Sequence, residues 1–113
     1  MEDYEQKIEK DVVIEVVNLT RATWKEANEF KQILQEDIDK KFRKLVVDIN
    51  QCEFLDSTFL GVLVFAKKSV NRIGGELKIV EPPSVFNALR EKTATLKVFD
   101  SYKTIDDAIN SFN

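Results

Sequence analysis

Residues 46–80 read VVDINQCEFLDSTFLGVLVFAKKSVNRIGGELKIV, and the order of patterns in this stretch decides the fold class. It opens in a β-branched run, residues 44–49, that is too short for a buried helix and reads as a central strand. A polar knot, Asp56-Ser57-Thr58, interrupts the apolar sequence. From residue 58 to about 72 the chain has helical length, apolar on nearly every side at its start and charged at its end. Gly74-Gly75 then supplies a stop, and residues 76–80 read as the next strand. Strand, buried helix, strand is the unit of a parallel sheet.

Working outward, residues 12–17 (VVIEVV) read as a strand, with a weaker strand before it at 6–9 and a turn at Lys10-Asp11. Thr23 and Glu26 stand as T-x-x-E, the signature of a capping box. Trp24, Ala27, Phe30, Leu34 and Ile38 follow at helical spacing and predict one apolar stripe. On the other side, Pro82 or Pro83 suits the first turn of a helix to about residue 92, with Val85, Phe86 and Leu89 inward. Residues 96–99 read as a short strand. Thr104 and Asp107 repeat the capping logic before a stripe of Ile105, Ala108, Ile109 and Phe112. The expected order is β-β-α-β-α-β-α-β-α. That is a layered α/β fold with a mixed, mostly parallel sheet of four or five strands and about four helices. The 113 residues suit a single domain, 1–113, with its core at about 11–112.

Composition removes most chemistry. With 43% hydrophobic and 33% charged residues, the chain has the balance of a globular domain rather than a disordered one. No apolar run reaches the roughly 20 residues that span a bilayer, so no membrane insertion is expected. The charged start MEDYEQKIEK has no apolar core, and a cytoplasmic address is expected. A net charge of −3 with interleaved signs gives no nucleic-acid footprint. The sequence contains no histidine, which excludes Ser-His-Asp and Cys-His catalysis. Neither a Walker-type loop nor a G-x-G-x-x-G turn is present. No cofactor and no metal site are expected. The single cysteine, Cys52, reads as a small buried apolar group.

Two places could still carry chemistry. Asp48 lies near the end of the strand read at 44–49, where sites in α/β sheets collect, and is a candidate receiver-like phosphate acceptor. That reading needs an acidic pair after the first strand, where this chain has Val17-Asn18-Leu19-Thr20. The other place is Asp56-Ser57-Thr58. An acid or hydroxyl here can simply cap a helix, stabilising it by about 1 kcal/mol. A hydroxyl at such a tip is also well placed for a switch, because a phosphate there adds roughly −1.5 to −2 charge beside Asp56.

The stretch 46–80 resembles the STAS domain family, the fold of bacterial anti-sigma factor antagonists. The shared pattern is a strand ending in Asp, a short apolar approach, Asp-Ser with a further hydroxyl, a buried helix, Gly-Gly and a strand. The tail PPSVFNALREKTATLKVFDSYKTIDDAINSF also looks like the family's third helix, short strand and final helix. The resemblance implies a STAS-like fold and a binding protein, not an enzyme, probed at Ser57. It implies that Ser57 is the phosphate acceptor, with Thr58 as the alternative, and that Asp56, Ser57, Thr58 and Phe59 form the partner surface. The implied partners are an anti-sigma factor that is also a serine kinase of the histidine-kinase-like ATPase type, and a PP2C-type phosphatase. For oligomeric state a monomer is the plain default. STAS-like single domains also occur as non-switching subunits of membrane lipid-transport complexes, the alternative within the same fold. The sequence departs from the family at two places. Phe59 stands where Gly is usual, and NLTRATW, residues 18–24, lacks the usual Gly and Asp.

Overall fold

A computed structural model describes residues 2–81 and 99–112. The chain opens with a hairpin of β1 (Tyr4–Glu9) and β2 (Val12–Val17), closed by Lys10 in the left-handed region at φ 57°. Next come β3 (Arg21–Ala22), α1 (Trp24–Asp39), β4 (Lys44–Asp48) and β5 (Phe54–Leu55). After these follow α2 (Ser57–Arg72), β6 (Glu76–Val80), β7 (Asp100–Tyr102) and α3 (Ile105–Asn110).

The main sheet has the order β1-β2-β4-β6-β7. Among the described strands of this sheet, β1–β2 pairs antiparallel and the others pair parallel. Register runs straight across the centre, Val12 opposite Lys44 opposite Glu76, and Val16 opposite Asp48 opposite Val80. Alternation of side chains then sorts the sheet into two faces. Val13, Val17, Leu45, Val47, Leu77 and Ile79 face α1 and α2. Val12, Ile14, Val16, Val46 and Val80 form the other face, which Ala108 of α3 covers together with Ile105, Ile109 and Phe112. All of β2 is buried, as a strand covered on both faces must be.

The mixed, mostly parallel five-stranded sheet is the one expected from sequence. Four details differ. The first strand begins at Tyr4 rather than residue 6, because its edge position leaves side chains exposed and erases the apolar alternation. Trp24 is not part of the buried stripe; at the first position of α1 it is 66% exposed, while Ala27, Phe30, Leu34 and Ile38 are buried. The last strand is Asp100–Tyr102, and Phe99 is a buried residue in a bend before it. The two-residue strands β3 and β5 pair in a small parallel sheet of their own, too short to leave a periodic signal. The helix expected to residue 92, with Val85, Phe86 and Leu89, lies outside the described residues, as do 96–98.

Among the described residues, three polar side chains are buried among apolar neighbours: Glu15, Asp37 and Lys78. The Gln6 amide donates to Glu15 Oε2 at 2.7 Å and to Asp37 Oδ1 at 3.1 Å, joining β1, β2 and α1. Burial first, then a hydrogen bond with Glu15 and that residue's charge, holds the Asp37 carboxyl well above the usual range. Lys78 reaches the rings of Tyr102 and Phe112, with Nζ at 5.4 and 4.9 Å from their centroids, and donates to the Tyr102 hydroxyl at 3.4 Å.

Candidate functional site

The small parallel pairing of β3 with β5 builds the site. Thr20 C=O accepts from the N–H groups of Glu53 and Phe54, and Ala22 C=O accepts from Asp56 N–H at 3.2 Å. These bonds bring the start of α1 against the start of α2. Asp56 stands between them with extended backbone, as the N-cap of α2. Its Oδ1 accepts from Phe59 N–H at 2.9 Å, and its Oδ2 accepts from Trp24 N–H at 2.8 Å. One carboxylate thus satisfies free donors of two helices and sits at the positive ends of both. Thr23 caps α1 in the expected box: its hydroxyl accepts from Lys25 N–H, while Glu26 Oε1 accepts from Thr23 N–H at 3.0 Å.

Ser57 is the first residue of α2, and both it and Thr58 are exposed. Phe59 is fully buried. Its ring stacks on Phe30 at 5.2 Å, and Phe30 stacks on Tyr4 at 5.3 Å. The large side chain in the usual glycine position therefore points into the core and leaves the approach to Ser57 open. Its contribution to a partner surface would be support from beneath.

Beside Asp56 lies a depression of about 500 Å3, walled by Arg21, Trp24, Lys25 and Phe54. The Arg21 guanidinium lies 4.4 Å from the Phe54 ring centroid. Sequence patterning missed this wall. Trp24 fits a helical stripe by spacing, and Phe54 belongs to a strand of two residues. The capping box was the available clue, since it fixes Trp24 in the first turn of its helix.

Asp48, the other candidate, is half-buried at the end of β4. Its Oδ1 accepts from Asn50 N–H at 2.9 Å. Burial raises its pKa, opposed by that hydrogen bond and by the charge of Lys7. Its register partner on β2 is Val16, and the described residues hold no group of three acids, cysteines or histidines around it. Cys52 is buried, and burial with the charge of Asp48 pushes its thiol up to about 12, so it is a thiol at neutral pH. Among the described residues no helix is long and apolar enough to cross a membrane.

The STAS domain family model matches residues 23–108. A Thermotoga neapolitana protein, provisionally named an anti-sigma factor antagonist, is 31% identical over 104 residues, 91% of each chain. The crystal structure of a Thermotoga maritima protein with the same provisional name has a TM-score of 0.83 at 27% identity, covering 96% of this chain and 92% of that one. The Bacillus cell fate determinant SpoIIAA in its phosphorylated form shares the fold, with a TM-score of 0.73 at 10% identity over 97% of this chain and 99% of that one.

Proposed function

The chain belongs to the STAS domain family, and from that premise we propose that it is an anti-sigma factor antagonist switched by phosphorylation of Ser57. Unphosphorylated, it binds an anti-sigma factor that is also an ATP-dependent serine kinase, and so frees the sigma factor. The kinase moves the γ-phosphoryl group of ATP to Ser57 Oγ: the new O–P bond forms, ADP leaves and a base on the kinase takes the hydroxyl proton. A PP2C-type phosphatase hydrolyses the ester and resets the cycle, in the cytoplasm. The chain supplies the acceptor and the docking surface and is not the catalyst.

One observation carries this reading. Ser57 is an exposed hydroxyl on a helix start anchored by the Asp56 cap and the buried Phe59 ring, and no described residue hydrogen-bonds its side chain. The acid beside it is committed to two backbone N–H groups, which suits a positioning role. A phosphate would add roughly −1.5 to −2 charge to a surface that binds with a neutral hydroxyl, and the partner would reject it. Thr58, also exposed, is the alternative acceptor.

The test is to incubate the protein with ATP and each ATPase-type anti-sigma factor of its source organism, then map the phosphate. Label is expected on Ser57, lost in Ser57→Ala and kept in Thr58→Ala. Ser57→Asp should weaken binding by about 2 kcal/mol, roughly 30-fold. Equal affinity of wild type and Ser57→Asp would refute the switch.

A further inference from the structure

The exposed surface of α1 and α2 has a composition of its own. Four large apolar side chains stand out into solvent among the described residues, and three of them are aromatic: Trp24, Phe54 and Phe65. Each of these three is accompanied by a cation. Arg21 lies over Phe54 at 4.4 Å, Lys31 over Phe65 at 4.5 Å, and Lys25 is 6.0 Å from the Trp24 centroid.

These residues share one face. Asp56 holds the starts of α1 and α2 together. About two turns further along each helix, Lys31 of α1 meets Phe65 of α2 across the seam. On α2, Ser57, Gly61 and Phe65 follow at four-residue spacing and are all exposed, so they form one stripe. A Cβ placed on Gly61 would meet nothing within 4 Å, so the stripe has a gap between the hydroxyl and the Phe65 ring.

Charge decides what fits. The carboxylates that line the depression, Asp56 and Glu26, are both occupied by backbone N–H groups. Among the described residues, Arg21, Lys25 and Lys31 form no ion pair with a carboxylate. A protein of net charge −3 therefore presents three cations that no described carboxylate pairs, laid on three exposed rings. Aromatic and arginine side chains in this arrangement are the composition of an interface centre.

We propose that this face, from the depression beside Ser57 down the α1–α2 seam, docks an acidic segment of the anti-sigma partner that carries apolar anchors. The inference rests on the function proposed above and names the chemistry of its partner. Gly61 gives the partner's backbone room over α2, and Arg21, Lys25 and Lys31 meet its carboxylates. A phosphate on Ser57, at roughly −2 charge, would offset most of the charge of these three cations, which gives release a second cause besides crowding.

Calorimetry of the full chain with each ATPase-type anti-sigma factor tests this. The binder should lose about tenfold or more in affinity between about 0.05 and 0.5 M salt. Arg21→Glu, Lys31→Glu and Phe65→Ala should each weaken it about tenfold at low salt. Gly61→Gln, which improves helix propensity and meets open space, should fold normally and still block docking. Lys41→Glu, beyond the far end of α1, should change nothing. A partner that responds to Ser57→Asp but is indifferent to salt, Lys31→Glu and Gly61→Gln would overturn this surface and leave the switch standing. Failure of every anti-sigma factor to bind would overturn both.

Discussion

Asp56 does two jobs that usually fall to two residues. It caps its own helix, and it reaches 32 positions back along the sequence to the first N–H of α1. Replacing it with Ala leaves two donors without their acceptor and loosens the joint between the helices. Asp56→Ala should therefore destabilise the protein by about 2–3 kcal/mol, more than a single cap loss, as read by urea unfolding. The first of these jobs was legible in the sequence, because Asp-Ser-Thr before an apolar run is a cap signal. The second was not, since no local pattern announces a bond made through β3 and β5. Trp24 shows the same limit. Spacing put it on the buried stripe, but the first residue of a helix overhangs the edge of the layer beneath it, and Trp24 is exposed.

At the level of elements, β1, β2 and α1 meet around Gln6, Glu15 and Asp37. Each of the three looks ordinary in its own element, and only the packing of α1 on the sheet buries the acids together. The consequence for stability has a definite sign. Asp37 holds its proton more tightly in the folded protein than in the unfolded chain, because burial and Glu15 both penalise its charge. Its contribution is full below the ordinary carboxylate range and is lost as pH rises from there through its raised folded value. Asp37→Asn keeps the shape and a donor without the titration. It should flatten the fall in stability with pH and exceed wild type by more than about 1 kcal/mol near pH 8, measured by urea unfolding across the pH range. The long elements were readable for the opposite reason. The stripe of α1 from Ala27, the buried start of α2, its stop at Gly74 and the β-branched strands each repeat one signal several times.

For the molecule as a whole, the sheet's two covered faces leave the switch candidate at a point where two helix starts and two short strands converge. A negative charge at Ser57 enters the favourable end of α2 and touches no buried group. Ser57→Asp should therefore leave the unfolding midpoint unchanged or raise stability by about 0.5 kcal/mol, measured by thermal and urea unfolding. Any effect of that substitution on partner binding then belongs to the surface and not to the fold. The ring stack beneath the site ties it to a less obvious part of the chain. Phe59 rests on Phe30, and Phe30 on Tyr4 of β1, an edge strand paired on one side only. Whenever β1 opens locally, that stack loses its last ring, and the floor under Ser57 loses a wall. The amide exchange rate of an outlying strand is thus a gauge of how long Ser57 keeps its pose.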